Sequence, residues 1–481
     1  MSRINGNVTS LIAQRHLTVA QRALSVSLER LSSGLKINRG ADNPAGLIVS
    51  ERLRAEIGTV RQAIDNSSRA INVIATTEGA LNEVSALLID IQSKLVEAAN
   101  TGAFSDEEIA ANQLQIDSTI DSINRIANTT TFAGRKLLNG ELDYIASGID
   151  ATKLADVRVL GTEFGTQPFV GVNVRVTQSA QQAQLAFSGP GMGATGATVD
   201  IGGPEGIITL TFPASATTVQ MVSAINANVD ATGVQAVASG AGGVSGLRIF
   251  SQKYGSGAFV SVRAVTGTYT VKNRAGANVP RTVGRDASAT INGVNTTSEG
   301  LKLSISNDAL KMNVTLSTAF GGGSVSLGSS TFAITSGGAL FQLGPQVNTN
   351  LQEQIGIQSF QVNKLGNAIV GFLSELKSGQ PRSLKSEKFK EASDIVSEVI
   401  AQVAVLRGRL GSFERNTLQT NINQLQITAE NLSSSESVIR DTDFAEETSE
   451  LTRSQILVQA GTSILAIANA QSQNVLTLLG G

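Results

Sequence analysis

Two short stretches hold residue types whose spacing could do chemistry. Residues 441–450, DTDFAEETSE, put five carboxylates into ten positions, and paired carboxylates can divide general acid and base work between them. Residues 191–196, GMGATG, set Gly191, Gly193 and Gly196 at the GxGxxG spacing that lets a backbone close on a pyrophosphate. Each has a plainer reading. The acidic run stands just ahead of an apolar seam beginning at Leu451, and acidic side chains favour a helix N-terminus, so it reads as a solvated cap. The glycine fingerprint needs a strand before it and a helix after it. ATVDIGGPEG follows, too short and too polar for that helix, so it reads as a turn. Any Ser–His–Asp triad would have to use the single histidine, His16, whose surroundings AQRHLTVAQ read as a polar helix face. The lack of cysteine excludes disulfides, thiolate metal sites and cysteine nucleophiles. One histidine excludes HExxH zinc chemistry. The expectation is no enzyme, no cofactor and no metal.

Composition excludes other classes. Lys and Arg number 37 against 39 Asp and Glu, whereas nucleic-acid binding leaves a basic patch or stripe. No nucleic-acid partner is expected. No apolar run approaches the ~20 residues that span a bilayer, which argues against membrane insertion. The start, MSRINGNVTSLIAQRHL, lacks a basic region followed by an apolar core, so no cleaved signal peptide is expected and, taken alone, the chain reads as cytoplasmic. The sequons NVTS, NSS and NTT matter only on a glycosylating secretory route.

Proline divides the chain. The eight prolines fall at 44, 168, 190, 204, 213, 280, 345 and 381. Proline breaks helix interiors, so 45–167 and the stretch after 381 can be long helices and the middle cannot. Leu17, Leu24, Leu28, Leu31 and Leu35 step by 7, 4, 3 and 4. Ile57, Val60, Ile64, Ser67, Ile71, Ile74, Glu78, Leu81, Val84, Leu88, Ile91 and Leu95 then hold a 3–4 spacing, with Ser67 and Glu78 as exceptions. At about 1.5 Å per residue that seam is a rod on the order of 60 Å long. A further helix over about 105–127 opens on SDEE, an N-cap with an acidic first turn. Near the other end Leu418, Leu425, Leu432 and Ile439 are seven apart. The last seam runs Leu451, Ser454, Val458, Gly461, Leu465, Ala468, Ser472, Val475, Leu479, with small residues at alternate positions that let helices approach closely.

The middle differs in kind. Residues 176–344 hold 26 of the 48 glycines and only 15 charged residues. Alternating runs such as FVGVNVRV, GIITLTF, GLRIF, AFVSVRAV and LKLSISND read as strands between glycine turns, with one helix at 216–229.

The fold class expected is therefore α+β: a long α-helical coiled-coil bundle made from both termini, with a β-rich middle projecting outward. Four regions follow: terminal arms 1–44 plus 450–481, a helical rod 45–140 plus 381–449, a β-hairpin or transition region 141–175, and one or more β-rich outer domains over 176–380. A helix with an apolar stripe must bury it. The arms cannot complete a core from two helices, so their remaining stripe is expected to be covered by other copies, giving a homopolymer. Isolated arms are expected to be disordered and to order on assembly.

LERLSSGLKINRGADNPAGLIVSERLRAEI (28–57), ALNEV (80–84), NTTTFAGRKLLNG (128–140), NTLQTNINQLQITAENLSSSESVIRDTDFAEE (416–447) and SQILVQAGTSILAIANAQSQNVLTLL (454–479) closely resemble bacterial flagellins, the subunits of the flagellar filament. The middle resembles their variable region, and MVSAINANVDATGVQA (221–236) is similar to a motif of hook-associated proteins. The resemblance implies arms forming an inner tube, rod segments forming an outer tube, and a middle facing solvent. It implies extracellular localisation by type III export up the hollow filament, so the missing signal peptide is no obstacle. It further implies three classes of partner: an export chaperone at the C-terminal helices, a filament cap, and hook-associated proteins.

Between the first two helices Gly34 and Gly40 let the chain turn, and Pro44 restarts a helix as its first residue after a cap. The resemblance makes this stretch the connector of the two tubes, where Lys36, Arg39 and Asp42 could meet neighbouring subunits. It also implies a host innate Toll-like receptor reading an arginine-containing patch near residues 87–100. Asp90 and Gln92 stand at the arginine positions, so weak or absent activation is expected. The alternatives are a hook–filament junction protein, with less complete 28–57 and 416–447 motifs, and a filament subunit with an added adhesive domain.

Overall fold

The structure is a computed structural model that describes residues 7–165, 167–189, 191–239, 246–307, 309–323 and 328–479, with side chains to residue 470. Its helices are α1 (Val8–Ser33), α2 (Pro44–Ala98), α3 (Asp106–Thr129), α4 (Thr218–Asn226), α5 (Val229–Thr232), α6 (Thr318–Gly321), α7 (Phe389–Phe413), α8 (Thr420–Arg440) and α9 (Phe444–Leu479). The chain forms two compact units, one of Met1–Ala70, Gln342–Leu351 and Arg415–Gly481, the other of Ile71–Phe341 and Gln352–Glu414. The division falls inside α2 and not at the rod's expected ends.

In the first unit the two arms run antiparallel. Asn7 at the start of α1 donates to the Ala468 carbonyl at 2.9 Å, while Arg30 near its end meets Glu447 at 3.4 Å. The first part of α2 packs on α8 through Val60, Ala63 and Leu425, flanked by Ile64, Ala429 and Leu432. Ser67, an exception in the sequence seam, is buried here. Its hydroxyl bonds the Ala63 carbonyl and accepts from Asn421, which also donates to the Leu343 carbonyl at 2.9 Å.

Along α2 the buried stripe is a strict double heptad. Val60, Ser67, Ile74, Leu81, Leu88 and Leu95 alternate with Ala63, Ala70, Thr77, Val84, Ile91 and Ala98, all buried. The 3–4 spacing puts Ile64 and Ile71 in this stripe, with Glu78 an exception to it. They are half-buried beside it, because the small residues one position earlier take its centre and larger side chains close its flanks. Ile57, Leu418 and Leu425 are buried, and Leu432 is half-buried.

In the second unit the remainder of α2 joins α3 and α7, whose buried stripes run through Ile116, Ile120 and Ile123 and through Ile395, Val399, Val403, Leu406 and Leu410. The SDEE start of α3 closes a reciprocal capping box between Ser105 and Glu108.

The β-rich part of this unit holds two sandwiches. A five-stranded sheet, centred on Val170–Gln178 and Ser329–Gly337, faces a four-stranded one containing Leu310–Leu316 and Leu154–Thr162 across a shared core of Val172, Val174, Met312, Val314 and Ile334. Residues 141–175 are thus integral to this sandwich, and a boundary at 175/176 would cut a strand. Between its strands is inserted a second sandwich of two four-stranded sheets, sealed by Met221 and Ile225 of α4. Here α4 is capped by Thr217 and Gln220, inside the expected 216–229.

Candidate functional site

The arms pair through small side chains. Ala13, Ala20 and Ser27 of α1, seven apart, are buried, as are Ser454 and Ala468 of α9, with Gly461 half-buried between them. A methyl group on Gly461 would sit 3.3 Å from Leu17 Cδ1, and the two helices bring Cα atoms within 8 Å of each other. Of the arm residues read from sequence, Leu17, Leu24, Leu31 and Leu35, with Leu451, Val458 and Leu465, are half-buried at the flanks, and only Ala468 lies in the seam. Leu28 is 50% exposed and does not belong to it. The heptad of small residues Ala13, Ala20 and Ser27 was legible, but leucine spacing drew the reading away from it. Val475 and Leu479 have side chains outside the described residues.

Helices α1 and α9 leave apolar surface uncovered. A groove of about 670 Å³ is lined by Ile12, His16, Val19, Leu457, Gly461 and Ile464 among others. His16 therefore lies beside an apolar groove, not on a wholly polar face.

The acidic run divides into two roles. Asp443 caps α9, its carboxylate accepting the Ala445 N–H at 2.8 Å and the Glu446 N–H at 3.2 Å. Glu447, expected to be solvated, is buried and pairs with Arg30, one turn nearer the small-residue seam. GMGATG leads into the strand Ala197–Gly202, with no helix after it, as the turn reading requires.

The connector folds onto the α8–α9 link by a two-stranded bridge. Lys36 N–H donates to the Arg440 carbonyl at 2.7 Å, and Thr442 N–H to Gly34 at 3.0 Å. Gly34 ends α1 with φ +73°, a left-handed conformation that resists any side chain. Gly40 has no such constraint: an added Cβ would meet only Leu47 Cδ2, at 3.7 Å. The turn therefore depends on Gly34 and not on Gly40. Gly34→Val is expected to destabilise the connector by about 1–2 kcal/mol, and Gly40→Val to change thermal unfolding little, which calorimetry of the two variants checks.

Pro44 is the first residue of α2 behind Asn43, whose side chain accepts the Gly46 N–H at 2.9 Å. Of the three connector charges, Arg39 reaches back to Glu29 at 2.9 Å. Asp42 is engaged within the turn, accepting the N–H groups of Arg39 at 2.8 Å and Asn38 at 3.0 Å. Lys36 makes no ion pair among the described residues and lines a pocket with Arg30, Ile37 and Asp42.

The Arg39 N–H, followed by that of Asn38 and the nearby guanidinium of Arg30, outweighs desolvation and holds the Asp42 carboxyl below its ordinary 3.8. A lowered folded value means the stabilisation is complete above that ordinary value and is lost as pH falls through and below it. Asp42→Ala is expected to lower the melting temperature at pH 7, with the difference shrinking as the pH is taken below 3.8. Paired thermal melts along an acid series measure it.

In the second unit Asp90 and Gln92 are half-buried on α2, with Ile91 buried between them and Ile89 exposed just before. Elsewhere in this unit a polar cavity of about 590 Å³ is lined by Asp143, Asp156, Arg158 and Arg409 among others. Burial pushes both carboxyls up and the Arg409 guanidinium down. Arg158 pairs with Asp156 at 2.8 Å and donates to the Gly366 carbonyl at 2.7 Å, and Arg409 donates to the carbonyl of Leu160. The cluster ties the strand Leu154–Thr162 to α7 and to the short strand Gly366–Asn367, and no group of three or more metal-ligating side chains occurs among the described residues.

The comparisons with known proteins fall on the same two ends. Residues 4–143 match the family described as the bacterial flagellin N-terminal helical region, and residues 393–479 the bacterial flagellin C-terminal helical region. Flagellin of Salmonella rubislaw is 30% identical over 506 residues, covering 99% of both chains. Flagellin D of Vibrio anguillarum is 29% identical over 478 residues, again covering 99% of both. Among solved structures, the flagellar cap protein FliD D1-D2-D3 domains from Escherichia coli match 46% of this chain and 64% of that one at 18% identity and a TM-score of 0.28. With both terminal helical regions present and relatives aligned over essentially their whole length, the chain belongs to the bacterial flagellin family and is a subunit of the flagellar filament that serves motility.

Proposed function

We propose that α1 and α9 are the polymerising element, and that their uncovered apolar side chains are buried by neighbouring copies in the filament's inner tube. One observation supports this above the rest. Leu11, Ile12, Val19 and Leu28 on α1, and Ile456, Leu457, Ile464 and Ile467 on α9, are each 45–63% exposed. Four of them, Ile12, Val19, Leu457 and Ile464, line one groove between the two helices, and contiguous exposed apolar surface marks an association site. Segments 45–140 and 381–449 then build the outer tube, and the β-rich region faces solvent. The connector residues Gly34, Lys36, Arg39, Gly40, Asp42 and Pro44 join the two tubes, with Lys36 the charge left for a neighbour.

The test is seeded growth. Ile12→Ser, Leu457→Ser and Ile464→Ser together should abolish elongation from filament fragments, followed by electron microscopy, while the melting of the β-rich region is unchanged. Growth of this triple variant at the parent rate would refute the reading.

The finer partners follow the family: an export chaperone on the C-terminal helices, a filament cap and hook-associated proteins, with export through a type III apparatus. For the host receptor, Asp90 and Gln92 put an anion and a neutral amide where an arginine contact is needed. Weak or absent activation is expected. In a reporter-cell assay the double variant Asp90→Arg and Gln92→Arg should raise the response at least tenfold, about 1.4 kcal/mol of binding.

A further inference from the structure

One ionisable ring stands among the apolar side chains of the arms. Residues 1–28 and 451–481 hold four arginines, Arg3, Arg15, Arg22 and Arg453, and the chain's one histidine, with no aspartate or glutamate. Of the described ones only His16 lines the groove between α1 and α9. Ile12 and Val19 flank it on its own helix, and Leu457, Gly461 and Ile464 come from the other.

No anion is placed to keep that ring charged. The groove's one carboxylate is Glu450. The helices run antiparallel, with Leu17 against Gly461 and Arg30 against Glu447, so Glu450 stands about 17 Å along the axis from His16. That is twice the Debye length of roughly 8 Å at physiological salt, and Glu450 already pairs with Arg453 at 3.1 Å. Glu29, the first carboxylate on α1, is about 20 Å along that helix. The charged neighbours in sequence, Arg15 and Arg22, are exposed and carry the same sign as an imidazolium.

We propose that His16 makes assembly pH-sensitive: a neighbouring copy that seats apolar side chains in this groove accepts the neutral imidazole and rejects the imidazolium. The inference rests on the reading that neighbouring copies cover the arms. Covering a cation with apolar side chains strips it of water and supplies no partner in return. Each copy also brings Arg15 and Arg22, so added positive charge accumulates wherever arms crowd together. Histidine ordinarily titrates near 6.5. A polymer that binds fewer protons than its free subunits grows best above that value and weakens as pH falls through it. One unit lower, about ten of every eleven ordinary imidazoles are charged, so excluding the proton weakens growth about tenfold.

Seeded growth across a dilution series at pH 7.5 and at pH 5.5 gives the critical concentration at each. The parent's should rise about tenfold on acidification, and that of His16→Gln less than about twofold. Burial pushes up the carboxyls of Asp143, Asp156 and Glu353, but these belong to the second unit and are common to parent and variant, so the difference isolates the ring. Because there is a single histidine, its ring-nitrogen NMR signal reports its charge directly. At pH 5.5 it should be that of a neutral ring in isotope-labelled filaments and of a charged ring in free subunits. Three results would overturn the proposal: a parent equally able to grow at both pH values, a glutamine variant that weakens as steeply as the parent, or a charged ring in filaments at pH 5.5. Should glutamine itself block growth at pH 7.5, His16→Asn makes the same comparison. Growth of the Ile12, Leu457 and Ile464 serine variant at the parent rate speaks against the covered arms. A blocked serine variant beside a His16→Gln chain that keeps the parent's pH dependence speaks against the histidine alone, so the two failures are told apart.

Discussion

Gly461→Phe is expected to raise the subunit concentration needed for filament growth about tenfold or more. The seam between α1 and α9 is made of Ala13, Ala20 and Ser27 against Ser454, Gly461 and Ala468, and even a Cβ at Gly461 would lie 3.3 Å from Leu17 Cδ1 and 3.7 Å from its Cα. Alanine could be absorbed by a shift of a few tenths of an ångström. A phenyl ring cannot, because the backbone of α1 stands behind the leucine. Replacing glycine inside a helix gains roughly 0.5 kcal/mol of propensity, whereas overpacking costs about 1–3 kcal/mol and parting the helices forfeits the small-residue contacts on either side. The net sign is unfavourable, and about 1.4 kcal/mol is a factor of ten in affinity. Sedimentation of seeded growth across a dilution series measures the critical concentration. Gly461→Ala should sit near the parent, so a phenylalanine variant that also grows there would show that the close approach of the arms does not matter to assembly.

That seam also marks where sequence reading succeeded and where it slipped. Proline placement and 3–4 periodicity located the helices at both ends, because those signals are local. The strands at Val170–Gln178, Ile207–Phe212, Gly246–Tyr254, Phe259–Thr266 and Lys302–Ser306 were equally legible from alternation between glycines. What slipped was which residue of a 3–4 pair lies at the centre. Apolar size alone marks Leu28, Ile64 and Ile71 for the seams. Where helices come close, the centre belongs to Ala13, Ala63, Ala70 and Thr77, and the large side chains roof the edges. Pairing between distant strands was out of reach. Leu154–Thr162 joins Leu310–Leu316 across a whole inserted sandwich, and nothing local in 141–175 records its partner. Gly34 and Gly40 looked alike as letters, and only the backbone angle separates a required glycine from a dispensable one.

The same distinction between centre and flank yields the larger stability effect. Leu88 and Ile89 are neighbours on α2, yet Leu88 is fully buried and Ile89 is 58% exposed. Leu88→Ala removes three buried carbons from a tightly packed helical core and is expected to cost about 2–5 kcal/mol, the spread reflecting how far the site can collapse. For a unit of this size that is a fall of about 4–10 °C in melting temperature. Ile89→Ala should stay within about 0.5 kcal/mol, as surface substitutions do. Calorimetry of the two variants beside the parent gives both numbers from one preparation. Because the pair are adjacent in sequence, helix propensity and denatured-state effects nearly cancel between them, leaving burial as the variable. Equal melting temperatures would mean that the heptad through Ile74, Leu81, Leu88 and Leu95 does not hold the bundle together.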